Sequence, residues 1–248
     1  MKQTPVVFIH GAWFHRSSWE GWAERFTAYG YAVCVPDWPG EAPTADQVRR
    51  DPGPLRDLGL AALTAHYERI VRAFDNPPVL IGHSAGGLIA QHLLGADLGS
   101  AAVALAPLPA GSTRYPGCEP LSRAWFRHVV ANAVGEEEAT ELFDRYAVPA
   151  PLRLLTDLGR GAADTVVDTA NSARGPLLLV SGQEDRMVPD AVTRAVYKLY
   201  GDSSAVTDLK QFADRGHSLV FDSGWRPVAD HVLAWLAANG IEAVAAQG

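Results

Sequence analysis

The sequence has little cysteine, little lysine and no long run of apolar residues. Its two cysteines, Cys34 and Cys118, supply neither a disulfide framework nor the spacing of a metal site, and they fit a reducing compartment. No apolar run approaches the roughly 18 residues of a membrane-spanning helix. The first apolar run, VVFI, is too short for a secretory signal. We therefore expect a cytoplasmic protein without a membrane partner.

Positive charge is also scarce. The chain carries 21 basic and 28 acidic residues, a formal charge of -7, and its basic residues are scattered. This balance argues against a nucleic-acid partner. Among the basic residues, lysine occurs only at Lys2, Lys198 and Lys210, a bias typical of GC-rich bacterial genomes.

Apolar runs bounded by turn residues alternate with segments of helical period. The runs lie at 5–10, 31–36, 77–82, 101–107, 176–182 and 205–212. The helical segments lie at 18–29, 58–74, 84–95, 190–200 and 225–238. Four of the runs are almost continuously apolar, as expected for strands covered on both faces. The pattern predicts an α/β fold with a mostly parallel six-stranded sheet flanked by helices.

One connection departs from this alternation. Between residues 108 and 174 no strand pattern occurs, but three stretches carry an apolar stripe: SRAWFRHVVANAV, EEEATELFDRYAV and PLRLLTDL. A compact domain rarely holds so long a connection without structure. We expect a helical cap over residues 109–174, inserted in a core formed by residues 1–108 and 175–248.

The stretch IGHSAGGLIA contains a serine motif. Gly82, Ser84 and Gly86 form a Gly-x-Ser-x-Gly pattern after a strand and before a helix. A sharp turn from strand to helix strains its central residue and crowds the flanking positions, which favours glycine there. Ser84 would then expose its hydroxyl above the sheet. The pattern also occurs as a plain glycine-rich helix start, so the assignment needs partners.

Two candidate partners follow later strands. Asp185 comes after the fifth run and His217 after the sixth, which gives the order serine, acid, histidine along the chain. Ser84 would attack a carbonyl, His217 would take its proton, and Asp185 would orient the imidazole. Two other acids are open: Asp190, better interpreted as a helix cap, and Asp214, close in sequence to His217.

Backbone donors for an oxyanion are expected on both sides of Ser84. The N–H of Ala85 follows the serine directly, and the N–H of Ala12 follows the His10–Gly11 turn in HGAW. His10 would orient this loop. The alternative is that Gly11 marks an ordinary turn.

Aromatic residues predict an apolar substrate pocket. They come from the HGAW loop and from the expected cap, and are Trp13, Phe14, Trp125, Phe126 and Tyr146. For most of them, packing of the cap on the core is the better explanation.

With these residues in place, the chain resembles an α/β-hydrolase over nearly its whole length. PDWPG at 36–40 and the SGQED segment are similar to small capped bacterial members. HGAW is similar to the methylesterase and hydroxynitrile lyase branch. The lyases carry threonine in place of Gly11 and lysine in place of Ser218, so the resemblance favours the esterases.

The resemblance implies a serine hydrolase that cleaves a small to medium apolar carboxylic ester, lactone or thioester, without metal or cofactor. Ser84 argues against the dehalogenases and epoxide hydrolases of this fold, which use an aspartate nucleophile. Carbon–carbon hydrolases, perhydrolases and cofactor-free dioxygenases share the same triad and stay open, as does a binding protein that has lost the chemistry.

Overall fold

A computed structural model describes residues 3–109, 121–160 and 165–243. Cys118 and parts of the expected cap lie outside these residues. The strands are β1 (Pro5–Ile9), β2 (Ala32–Cys34), β3 (Val79–His83), β4 (Ala101–Leu105), β5 (Leu177–Gly182) and β6 (Thr207–Phe212). The α-helices are α1 (Glu20–Ala28), α2 (Ala45–Arg50), α3 (Leu60–Arg72), α4 (Ala85–Gly95), α5 (Arg123–Val129), α6 (Glu136–Tyr146), α7 (Leu152–Gly159), α8 (Asp190–Lys198) and α9 (Trp225–Ala238).

The six strands form one sheet in the order β2-β1-β3-β4-β5-β6, and every neighbouring pair is parallel. The predicted sheet is therefore confirmed. The four continuously apolar strands, β1, β3, β4 and β5, are buried at every residue. The edge strands β2 and β6 are mostly half-buried.

The apolar run YAVCVP predicts that Cys34 is a buried strand residue, and this prediction is wrong, because β2 is the edge strand of the sheet. Cys34 is half-buried there, and its partial burial raises the pKa of the thiol. A raised pKa keeps the thiol protonated, so Cys34 is a poor nucleophile.

Helix α4 follows the serine motif and is buried on nearly all sides. Its residues AGGLIAQHLLG are apolar all round, and every one except His92 is buried. A helix of this kind belongs to the interior of a layered fold, and α4 packs against β1, β3 and β4. The first turn of α4 is thereby fixed at the edge of the sheet where these strands end.

Helices α5, α6 and α7 lie between β4 and β5 and are named the inserted helices below. All three occur where the apolar stripes predicted them. They join the core through the loop after β1: Val148 N donates to Trp13 O at 2.9 Å, and His15 N donates to Tyr146 O at 2.9 Å. An isolated antiparallel bridge pairs Phe14 with Ala147 at the same place.

Helix α2 was not predicted. It has six residues, of which only Ala45 and Val48 are buried, so no apolar periodicity develops. Its start is fixed by Thr44, whose hydroxyl accepts from Gln47 N at 3.3 Å.

Candidate active site

The three candidate catalytic residues lie just beyond the ends of three strands. Ser84 follows β3 directly, Asp185 follows β5 by three residues, and His217 follows β6 by five. Because the sheet is parallel, the carboxyl ends of these strands lie along one edge. This is the edge at which open α/β sheets bind their ligands.

Ser84 has a strained backbone. Its φ is 56° and its ψ is -118°, a combination that residues with a side chain rarely adopt. Backbone hydrogen bonds hold it on both sides: Ser84 N donates to Leu105 O at 2.9 Å, and Ser84 O accepts from Leu108 N at 3.2 Å as well as from Gly87 N and Leu88 N in the first turns of α4. Strain of this kind clusters at functional sites, where the surrounding structure maintains it.

The glycines around Ser84 relieve crowding, as the sequence predicted. A Cβ on Gly82 would lie 2.1 Å from the carbonyl oxygen of Gly86. A Cβ on Gly86 would lie 2.1 Å from the carbonyl oxygen of Ile9. Gly82 is therefore required by the turn itself, whereas Gly86 is required by the close approach of α4 to β1.

Asp185 and His217 form a buried pair. Asp185 Oδ2 lies 2.8 Å from His217 Nδ1, and both side chains are fully buried. Asp185 Oδ1 accepts from Met187 N and from Val188 N, each at 2.8 Å. A carboxylate opposite Nδ1 requires a proton on that nitrogen, which leaves Nε2 free to accept one.

The reactive atoms of Ser84 and His217 are both buried. Neither Ser84 Oγ nor His217 Nε2 has a hydrogen-bond partner among the described residues. Such contacts are often long in free enzymes and shorten when substrate binds. Two unpaired polar atoms of complementary function therefore lie in the same buried region.

His83, to which the sequence analysis gave no role, connects the serine turn to the histidine loop. Its Nε2 donates to the backbone carbonyl of His217 at 3.0 Å, and the two ring centroids are 4.6 Å apart. Burial, followed by the proximity of His217, lowers the pKa of His83 well below its ordinary value. A neutral His83 can donate this bond without placing a second positive charge beside His217. Its position next to Ser84 was the available signal.

The two expected oxyanion donors lie on either side of Ser84. Ala85 is the first residue of α4, where a backbone N–H has no partner within the helix. The HGAW loop comes close to the serine, because a Cβ on Gly11 would lie 3.0 Å from Ser84 Cβ. Within the described part of the chain, neither the Ala85 nor the Ala12 N–H donates to a protein acceptor.

The two rival acids lie elsewhere. Asp190 accepts from Ser181 Oγ at 2.6 Å and from Gln211 Nε2 at 2.7 Å. Its interpretation as a helix cap is wrong, because α8 begins at Asp190 itself and Pro189 occupies the cap position. The side chain of Asp214 is 75% exposed and pairs with Arg215.

The aromatic candidates pack where the HGAW loop meets the inserted helices. Trp13, Phe14, Phe126 and Tyr146 are buried, and Trp125 is half-buried. Ring centroids are 5.4 Å apart for Trp13 and Trp125, and 6.4 Å apart for Phe14 and Phe126. The ring of Phe14 also lies 6.0 Å from that of His217. Their contact with substrate stays a prediction.

The described ranges hold neither a metal-binding cluster nor a membrane-spanning helix. No group of three or more histidine, cysteine or acidic side chains could hold a metal ion there. None of the helices in those ranges has both the length and the apolar character needed to cross a membrane.

Solved structures share this architecture. A methylesterase of Arabidopsis, MES16, superposes with a TM-score of 0.66 over 95% of this chain and 99% of its own, at 18% identity. Polyneuridine aldehyde esterase superposes with a TM-score of 0.68 over 94% of this chain and 99% of its own, at 15% sequence identity. The monoacylglycerol lipase of Paleococcus ferrophilus superposes with a TM-score of 0.67 over 96% of this chain and 100% of its own, at 18% sequence identity. At these identities the likeness establishes the fold.

Sequence comparison gives the family. Phospholipase YtpA of Bacillus subtilis (strain 168) is 33% identical over 87 residues, which cover 34% of this chain and 32% of the relative. A family model described as the alpha/beta hydrolase family matches residues 6–231. Because that match spans most of the chain, this protein belongs to the alpha/beta hydrolase family.

Proposed function

We propose that this alpha/beta hydrolase is a serine esterase that works through an acyl-enzyme, with Ser84, His217 and Asp185 as its triad. The observation that carries the proposal is the buried Asp185–His217 pair, 2.8 Å apart, beside a serine held at a φ of 56°. The pair leaves His217 Nε2 as a proton acceptor, and the strained turn presents a hydroxyl that lacks a partner among the described residues.

The reaction would run in two halves. Ser84 Oγ attacks the substrate carbonyl while His217 Nε2 takes the hydroxyl proton, and Asp185 stabilises the resulting imidazolium. The negative oxygen of the tetrahedral intermediate accepts from the N–H groups of Ala12 and Ala85. His217 then returns the proton to the leaving alcohol or thiol. Water, activated by the same imidazole, hydrolyses the acyl-enzyme and releases the acid.

The buried position of the site supports a small to medium apolar substrate. Ser84 and His217 are almost inaccessible, and the rings of His83 and Phe14 lie 4.6 Å and 6.0 Å from that of His217. A closed apolar pocket binds by burial of apolar surface, until its volume is filled. The substrate is therefore a carboxylic ester, lactone or thioester with a short, uncharged acyl group.

The segment 109–174 would act as the cap of this pocket. The backbone pairing of Trp13–His15 with Tyr146–Val148 supports this role, since it joins the inserted helices to the loop of the proposed oxyanion donor. The scarcity of cysteine supports a cytoplasmic location.

A substrate panel run beside two serine variants tests the proposal. The panel contains p-nitrophenyl esters of increasing acyl length, a lactone and an acyl thioester. Ser84→Ala should abolish turnover of every substrate that the wild type cleaves. Ser181→Ala is the matched control, because Ser181 is also fully buried at the end of a strand but bonds to Asp190. It should keep turnover within about threefold of the wild type. Equal losses in the two variants, or a wild type without hydrolysis, would refute the proposal.

A further inference from the structure

A tight turn after β2 directs an acidic side chain into the protein. Residues Trp38–Glu41 have the sequence WPGE, Glu41 N donates to Trp38 O at 2.9 Å, and Gly40 has a φ of +85°. Proline second and glycine third with positive φ are the residues that a type II turn requires. The side chain of Glu41 is only 1% exposed, which is unusual for a carboxylate.

The carboxylate of Glu41 meets the first residue of the HGAW loop. Glu41 Oε1 lies 3.5 Å from His10 Nε2, and the His10 side chain is likewise 1% exposed. The His10 ring stacks on Trp38, with centroids 4.2 Å apart and planes 22° apart. Glu41 Oε2 accepts from Trp38 N at 3.4 Å. Among the described residues, His10 is the ion-pair partner of Glu41.

The His10 ring is held from both of its nitrogen atoms. Nδ1 donates to the carbonyl oxygen of Gly11 at 3.1 Å. Nε2 faces Glu41 Oε1 at 3.5 Å, an ion-pair distance without a hydrogen bond among the described residues. Because both groups are buried, the carboxylate of Glu41 limits how the His10 ring can turn.

His15, at the other end of the loop, differs. Its Nδ1 accepts from Ser17 N at 3.2 Å, and its Nε2 lies 3.1 Å from the carbonyl oxygen of Ala42. One acceptor and one donor describe a neutral ring, and burial lowers the pKa of His15 accordingly. The loop is therefore attached to residues 41 and 42 at both ends, and its contact with the buried carboxylate is at His10.

The bond from His10 to Gly11 O, together with Phe14 N, which donates to the same oxygen at 3.4 Å, fixes where the next N–H points. The carbonyl of Gly11 and the N–H of Ala12 belong to one peptide unit, which is planar, and no cis peptide bond occurs in the described chain. In a trans unit the C=O and N–H vectors are antiparallel. Fixing the oxygen toward the His10 ring therefore directs the Ala12 N–H to the opposite side. Gly11 lies against Ser84, so the direction of the Ala12 N–H decides whether it can donate a hydrogen bond to an oxyanion formed at Ser84.

We propose that Glu41 is a positioning residue for the oxyanion hole, acting through the ring of His10 on the peptide between Gly11 and Ala12. The inference rests on the proposed esterase function, since it assigns Ala12 to the transition state. Glu41 itself does not touch the substrate. Loss of its charge weakens the contact that holds the His10 ring, so the ring can turn and the direction of the Ala12 N–H is no longer fixed.

The substitution Glu41→Gln removes the charge and keeps the shape of the side chain. Loss of a whole oxyanion donor costs about 10²- to 10³-fold in kcat, so misalignment of one should cost about 10- to 100-fold, with KM changed less than about threefold. The matched control is Asp157→Asn. The Asp157 side chain is 11% exposed and accepts from Leu60 N at 3.0 Å, at a site that does not contact the HGAW loop. It should lower Tm without lowering kcat.

A double variant tests the route of the effect. If Glu41 acts through His10, Glu41→Gln combined with His10→Gln should lower kcat no further than the more severe single variant. Multiplicative losses would contradict the route. A kcat for Glu41→Gln within twofold of the wild type, or equal losses in Glu41→Gln and Asp157→Asn, would overturn the positioning role.

Hydrogen–deuterium exchange separates this inference from the proposed function. Peptides that cover residues 10–15 should exchange faster in Glu41→Gln than in the wild type, and unchanged in Asp157→Asn. A wild type without esterase activity would refute the proposed function, while the exchange rates still report whether Glu41 orders the loop. Unchanged exchange in an active Glu41→Gln would overturn the inference and leave the esterase proposal standing.

Discussion

Replacing Asp185 with asparagine should move the ring proton of His217 from Nδ1 to Nε2. The contacts of Asp185 give the reason. Asp185 Oδ1 accepts from two backbone N–H groups, those of Met187 and Val188. Both donors require an oxygen at this position, so the amide oxygen of the asparagine must take it. The amide nitrogen then occupies the position of Oδ2, 2.8 Å from His217 Nδ1 in the wild type. Because an amide N–H donates, Nδ1 has to accept, and the ring proton moves to Nε2.

An imidazole with its proton on Nε2 cannot accept the hydroxyl proton of Ser84. We expect kcat/KM to fall by about 10²- to 10⁴-fold, equivalent to about 2.7 to 5.4 kcal/mol of transition-state stabilisation. The assay is hydrolysis of p-nitrophenyl butyrate at pH 8, with Tm measured on the same preparations. Asp214→Asn is the control, since the Asp214 side chain is 75% exposed, and it should stay within about twofold. A loss below tenfold in Asp185→Asn, or a larger loss in Asp214→Asn, would refute the assignment of the acid.

Four other outcomes are expected. Ser84→Ala and His217→Ala should each lower kcat by about 10⁴-fold or more, and their double variant should be no worse, because the triad acts as a unit; steady-state assays decide this. Gly86→Ala should lower the free energy of unfolding by about 1–3 kcal/mol or more, because its Cβ would lie 2.1 Å from a carbonyl oxygen of β1. Gly135→Ala is the control: its Cβ would meet nothing within 4 Å, so it should be neutral. Thermal unfolding of both variants measures the difference. Along a series of aryl esters, kcat/KM should rise by about fourfold per methylene over short acyl chains and then fall sharply; a preference for palmitoyl esters would contradict the proposed apolar pocket. Burial raises the pKa of Glu41, but the attraction of its imidazole neighbours and its backbone hydrogen bond outweigh burial and leave the pKa below 4.5. Its contribution to stability is therefore full above pH 4.5 and lost as pH falls through the lower, folded-state pKa, so the difference in urea stability between the wild type and Glu41→Gln should shrink below pH 4.5.

The sheet could be predicted because its central strands are apolar without interruption. VVFI, VLIG and LLLV leave no alternation for a solvent-exposed face, and the helical stripes between them leave few topologies open. The inserted helices were found for the same reason. Helix α2 was missed because six residues with two buried side chains give no period to detect. Cys34 was misjudged because the order of strands, which makes β2 an edge, is a property of the whole sheet.

The candidate site was predicted as far as sequence order and strand ends allow. Ser84, Asp185 and His217 each follow a strand, so a parallel sheet brings them to one edge. The contacts of His83 and Glu41 could not be foreseen, because they join residues 134 and 31 positions apart through loops whose course the sequence does not state. Asp190 was taken for a helix cap from its neighbour Pro189, although its carboxylate is held by Ser181 from the end of β5.

Covalent labelling tests the central claim, that Ser84 is the nucleophile, most directly. The wild type and Ser84→Ala are treated with a fluorophosphonate, and the adduct is located by intact mass and peptide mapping. The proposed mechanism predicts one adduct per chain, on Ser84, and none in Ser84→Ala. An adduct on another residue, equal labelling of the two proteins, or a folded wild type that takes no label would contradict it.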